Sequence, residues 1–181
     1  MTQNTTKFYN QEIVKKMMSE FGAKNALEVP KIEKVVINCG LGEAVVNKQI
    51  LDDVAKQLAA ISGQRPAITL AKRSISDFKV RRGQPVGLKV TLRGARASNF
   101  LEKLFKITLP RLRDFRGLSQ KNFDNTGNYT LGLRESTVFP EIATIPFEKS
   151  RGLEITIVIN SHNVQKSTRL LELLGAPFQK S

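Results

Sequence analysis

Five cations, Lys72, Arg73, Lys79, Arg81 and Arg82, bracket the short stretch Ser74–Phe78 and lead into Gly83-Gln84-Pro85. Lys89 and Arg93 follow at alternating positions, then Arg96, and Arg111, Arg113 and Arg116 form a second basic group. Guanidinium forks and ammonium point charges at this density suit phosphate oxygens, and Phe78 among them has a face on which a base could stack. Core packing is the simpler expectation for that ring. The distribution of charge supports a polyanionic partner. Residues 61–120 carry 14 basic and 3 acidic side chains, net +11, whereas 1–60 (8 against 7) and 121–181 (7 against 6) are each net +1. A segment so one-sided repels itself until a polyanion neutralises it.

Other chemistries find few residues. With one cysteine, Cys39, and one histidine, His162, there is neither an intramolecular disulfide nor a usual zinc set, so no metal or cofactor is expected. Cys39 reads as a small packed residue and His162 as part of the turn before the last helix. The carboxylates are dispersed among lysines and mark no acid–base pair. Asn38-Cys39-Gly40-Leu41-Gly42-Glu43 sits between a strand and a helix, where glycines let a backbone approach phosphate. It fails as a dinucleotide fingerprint, because Val45 stands where a third glycine belongs, and it lacks the Gly-Lys-Ser/Thr of a phosphate-binding loop. A tight structural turn, close approach to RNA phosphate, and a nucleotide- or RNA-processing site remain as readings of Asn38–Glu43, the last being the enzymatic alternative.

These residues need elements to hold them. Apolar spacing predicts helices over 8–22 (Phe8, Ile13, Met17, Met18, Phe21), from an Asn47 cap to Gly63 (Ile50, Leu51, Val54, Leu58, Ile61), and over 163–174 before Gly175 and Pro177. Asn99 and Glu102 read as a capping box opening a third helix that Pro110 ends or kinks. Strands are predicted over 32–38, 67–71, 86–93 and 153–160. In 86–93, Val86, Leu88, Val90 and Leu92 alternate with Gly87, Lys89, Thr91 and Arg93, the pattern of a sheet with a core on one side only. The expected architecture is a single α+β domain over 1–181. Its largely antiparallel sheet carries helices on one face and leaves the other open, with mobile loops protruding near 72–85 and 113–130. The polar start, Met1–Asn10, predicts no signal peptide, and no apolar run reaches the ~18 residues of a membrane span, so an intracellular protein without a membrane partner is expected.

The runs Val35–Glu43 (VVINCGLGE), Thr69–Gly94 (TLAKRSISDFKVRRGQPVGLKVTLRG) and Lys121–Tyr129 (KNFDNTGNY) resemble bacterial large-subunit ribosomal protein five, and the likeness covers the whole chain. The one departure is Cys39, where methionine is common in that family. The resemblance implies a non-enzymatic, cytoplasmic constituent of the ribosomal central protuberance that binds 5S rRNA on its exposed sheet face. It carries the RNA contacts onto Asn38, Gly40, Gly42, Gln64, Lys72, Lys89, Thr91 and Arg93. It further implies contact with peptidyl-site tRNA through the loop bearing Ser74, Ser76, Lys79, Arg81 and Arg82. A bridge to small-subunit ribosomal protein thirteen would come from within 110–146, with Arg111, Arg113 and Arg116 as candidates. 23S rRNA and other 5S-associated large-subunit proteins complete the implied partners.

Overall fold

The computed structural model describes residues 3–42, 49–113, 115–144 and 150–179, with side chains from position 11 onward. Glu43, Val45 and the expected Asn47 cap lie outside the described residues. Helices α1 (Gln3–Phe21), α2 (Gln49–Ser62), α3 (Ala95–Lys103) and α4 (Val164–Leu173) accompany strands β1 (Ile32–Gly40), β2 (Ala67–Leu70), β3 (Pro85–Leu92), β4 (Tyr129–Leu133) and β5 (Leu153–Ile159). The strands form an open antiparallel sheet in the order β2-β3-β1-β5-β4. The class is α+β, as the interleaved periods predict. The chain gathers into two compact units, one of residues 1–35, 93–131 and 156–181, the other of 36–92 and 132–155.

In the second unit the period-two pattern of β3 becomes burial. Leu88, Val90 and Leu92 are buried, Lys89 is exposed, and Thr91 is half-buried. β1 alternates likewise, with Val35, Ile37 and Cys39 buried and Val36 and Asn38 half-buried. Helix α2 buries Leu51, Val54, Leu58 and Ile61 at three- and four-residue spacing and packs on β3. It ends where the Ser62 hydroxyl donates to the Leu58 carbonyl (2.6 Å) and Gly63 turns left-handed at φ +66°. β2 pairs antiparallel with β3, Ala67 opposite Lys89, Ile68 opposite Leu88 and Thr69 opposite Gly87. Nothing covers this edge strand: Ile68 is 57% and Leu70 56% exposed. Gly87 is buried where three strands meet. A Cβ there would lie 2.6 Å from the Cys39 carbonyl oxygen and 3.0 Å from Thr69 Oγ1.

In the first unit α1 packs with α4, and Arg169 clamps Glu20 with Nε and Nη2 on its two carboxylate oxygens (2.6 and 2.7 Å). Asn163 caps α4 by accepting from the Gln165 and Lys166 amides, and Gly175 follows at φ +88°. Helix α3 departs from expectation. It starts at Ala95, directly after Gly94 at φ +55°, so Asn99 and Glu102 sit inside it, and Glu102 pairs with Lys106 at 2.7 Å. Gly94 leaves the strand in a conformation that starts the helix four residues before the apparent capping box. The helix then widens into a π turn (Leu104–Thr108) and a 3₁₀ turn (Leu109–Arg111), in which Pro110 sits at the start.

The polar stretch 113–130 is knitted to distant chain. Leu118 is buried, its amide donates to the Pro177 carbonyl (2.7 Å), and its carbonyl accepts from Gln179 (3.0 Å). Tyr129 is buried against Phe123 and Phe178 (ring centroids 4.8 and 5.8 Å), its hydroxyl donating to the Ser119 carbonyl. Asp124 accepts from the Thr126 and Asn128 amides.

This packing can be probed at two places. Gly87→Ala forces a methyl against a main-chain carbonyl, and a urea titration should show a loss of about 1–3 kcal/mol; an unchanged midpoint would mean the strands are not so tightly apposed. Burial pushes the Cys39 thiol up from 9 to about 11, against the opposing attraction of Arg151. It likewise pushes the Tyr129 phenol up from 10 to about 12. Between those values the unfolded chain has lost protons that the folded chain keeps, so stability falls as pH rises through that window. Measured midpoints should decline from pH 9 upward, the early part of the decline being lost in Cys39→Ala and the later part in Tyr129→Phe.

Candidate nucleic-acid interface

The polar face of β1 and β3 in the second unit carries small and amide side chains rather than bulky ones. Asn38 Nδ2 donates to Glu154 Oε2 at 3.3 Å, the carboxylate reaching across from β5, which neighbours β1. Gln64, delivered by the end of α2, donates from Nε2 to the Thr91 carbonyl at 3.3 Å. Two residues 27 apart in the chain are thereby brought together, and both amides lose rotational freedom before any ligand arrives. Lys89 is exposed on the same face of β3. Glu154 is the member that sequence reasoning missed. Alternation places it outward on β5, but only the cross-strand neighbour reveals that it holds Asn38.

Gly40 and Gly42 differ from Gly87 in a telling way. Among the described residues, a Cβ at either would meet nothing within 4 Å, and neither has a left-handed φ. Among these residues, neither packing nor backbone geometry requires glycine at either position. What the absent side chains leave is open space beside the polar face. In the first unit Arg93 lies 3.5 Å from Glu33, which also sits 3.8 Å from Lys34, so this arginine shares its charge with an exposed acid.

The segment 71–84 is a hairpin with its own backbone hydrogen bonds. The Ala71 amide donates to the Gln84 carbonyl (2.8 Å), and Ile75 and Val80 exchange amide bonds at 2.9 and 3.1 Å. Lys79 takes φ +53° as its amide reaches the Ser76 carbonyl, and the Arg82 amide donates to Ser74 Oγ. Lys72, Arg73, Lys79, Arg81 and Arg82 are all exposed, and among the described residues none makes an ion pair with a carboxylate. Phe78 overturns the core-packing expectation, being 75% exposed. It occupies the turn of a hairpin that continues the uncovered edge of the sheet, where no second layer exists to receive it.

Arg111, Arg113 and Arg116 lie in the first unit, exposed, at and after the 3₁₀ turn that follows α3. His162 sits in an exposed turn at φ +49°, and Cys39 is a buried thiol held protonated, so the pair offers no nucleophile and base. Among the described residues no group of three His, Cys, Asp or Glu side chains could hold a metal, and no helix is long and apolar enough to cross a membrane.

Comparison with known proteins gives the family. Residues 25–81 match the family model of ribosomal protein L5, and residues 85–178 match the model of that ribosomal family's C-terminus. The first model ends and the second begins on either side of the hairpin residues Arg82–Gln84. Proteins named large ribosomal subunit protein uL5 from Kosmotoga olearia and Thermoanaerobacter sp. are each 51% identical over 172 residues. The alignments cover 95% of this chain and 94% and 96% of theirs. That of Caldanaerobacter subterraneus subsp. tengcongensis is 52% identical, covering 95% and 96%. With both halves matched and half the positions identical along nearly its whole length, this chain belongs to the ribosomal protein L5 family.

Proposed function

We propose that this chain is a structural, non-enzymatic protein of the large ribosomal subunit, working in the cytoplasmic ribosome, and that it binds 5S rRNA through the open face of its second unit. One observation carries the reading. Next to the anchored amides of Asn38 and Gln64 and the exposed Lys89, the glycines at 40 and 42 leave space that none of the described residues fills. A sugar–phosphate backbone can then come within hydrogen-bonding reach of the main chain. Asn38 and Thr91 supply polar groups and Lys72 and Lys89 supply charge there, while Arg93, in the first unit, is likewise assigned to 5S rRNA. Amides already held by Glu154 and by the Thr91 carbonyl lose less entropy on binding than free ones. The loop bearing Ser74, Ser76, Lys79, Arg81 and Arg82 is assigned to peptidyl-site tRNA. Arg111, Arg113 and Arg116 are assigned to the bridge toward small-subunit ribosomal protein thirteen, with 23S rRNA and the other 5S-associated proteins as neighbours in the assembly. Membership in a ribosomal protein family leaves the enzymatic reading of Asn38–Glu43 without support.

The test is binding of the full chain to 5S rRNA as a function of salt. About 6–10 phosphate contacts should weaken affinity by ~10³–10⁵ between 50 and 200 mM, and a flat response would remove the electrostatic footing. Asn38→Ala and Thr91→Ala should each cost roughly 1–3 kcal/mol against 5S rRNA and far less against an unrelated RNA of equal length; equal losses on both would reject their assigned roles. Gly42→Ala separates fold from function. Its unfolding midpoint should stay within about 0.5 kcal/mol of the parent while 5S affinity falls, and retained affinity would show that nothing approaches the space it leaves.

A further inference from the structure

Beside the basic hairpin lies an open groove of about 840 Å³, lined by Lys72, Arg73, Ile75, Phe78, Val80 and Val86 among others. Its walls are largely apolar and its rim is cationic. Phe78 (75% exposed) and Ile75 (48%) present hydrocarbon to water at the mouth. Between 72 and 82 the chain carries five cations and one acid, Asp77. We propose that this groove is a stacking site for an unpaired nucleotide of an RNA. The base would lie on the Phe78 ring against Ile75, and its phosphates would be held by Lys72 and Arg73.

The chemistry selects that occupant. An apolar protein side chain would fill the groove yet leave the rim cations without partners, whereas a nucleotide matches both parts at once. Its flat π face replaces water on the phenyl ring, and its backbone places negative charge at the rim. The base must be unpaired, because in a duplex both of its faces are already stacked. The hairpin is suited to hold such a ring. The Ile75–Val80 pairing and the left-handed Lys79 fix the Ser76–Lys79 turn, so Phe78 is displayed by a closed backbone rather than a loose one. The proposal deepens the assignment of the 74–82 loop to RNA and rests on it; the groove shares Lys72 and Gly42 with the sheet-face site, whereas Phe78, on which the test turns, belongs to the groove alone.

The chain contains no tryptophan, so Phe78→Trp installs a single fluorophore in the groove of the full-length protein. Three probes of equal length are titrated: an unstructured single-stranded oligoribonucleotide, an abasic oligomer with the same phosphates, and a blunt duplex. The single strand should quench the emission and bind on the order of tenfold more tightly than the abasic oligomer, which should bind without quenching. Phe78→Ala should lose that preference for base-bearing over abasic strands, and Phe78→Tyr should keep it. Equal affinity for the two single-stranded probes, a preference that survives Phe78→Ala, or equal quenching by the duplex would each overturn the site. Binding of 5S rRNA by the parent chain is measured alongside. Its absence would count against the sheet-face reading alone, and its presence without a base-dependent preference would count against the groove alone.

Discussion

The structure depends on one requirement: strands that bury their apolar side and turn their polar side outward. Leu88, Val90 and Leu92 of β3 and Val35, Ile37 and Cys39 of β1 are all buried, and every residue between them is placed on the opposite side by the two-residue period of the strand. A slip of one residue would drive Lys89 inward and Leu88 out, so burial of the apolar set also fixes where the polar set points. Gly87 pins this register, because only a residue without a side chain tolerates the Cys39 carbonyl and the Thr69 hydroxyl at that separation. Packing energy thereby determines the positions of groups that take no part in packing.

Glycine serves opposite ends at two places within the second unit. At Gly87 the missing Cβ is required by crowding within the protein. At Gly40 and Gly42 none of the described residues occupies the space a Cβ would take. Residue type alone gives no means of separating the two cases. The first kind belongs with stability and the second with recognition, since a backbone left uncovered offers its amides and carbonyls to a partner.

Much of this was legible from periodicity. The strand alternations of 86–93 and 153–160, the stripe of α2, and the last helix over 163–174 with its closing Gly175 all rest on local chemistry that tertiary contacts reinforce. Four features were not. Asn99 and Glu102 have capping-box spacing, yet Gly94 starts α3 earlier, because a positive φ at that point lets the chain leave β3 directly into the helix. Phe78 reads as core by hydrophobicity, which is blind to whether its strand lies at an uncovered edge; β2 does, as Ile68 and Leu70 show. Glu154 and Asn38 are 116 residues apart, and only the adjacency of β5 and β1 makes them partners. The polar stretch 113–130 belongs with these, since Tyr129 and Leu118 are anchored by Phe178 and Pro177 from the far end of the chain.

The unpaired cations of the hairpin pose the complementary question of why the chain tolerates them. Exposed side chains of like charge repel weakly in water, and salt reduces the repulsion further, so the isolated fold gives up little stability for Lys72, Arg73, Lys79, Arg81 and Arg82. A carboxylate beside each would relieve that small cost but would have to be displaced whenever a phosphate arrived. Cations that form no ion pair among the described residues keep that displacement out of the binding step and retain the gain from counterion release. The hairpin's internal hydrogen bonds make this arrangement workable. Its backbone is satisfied by Ala71–Gln84, Ile75–Val80 and Ser74–Arg82, so its shape does not depend on the charged side chains. Those side chains remain available to a polyanion because the loop that displays them is held by other bonds.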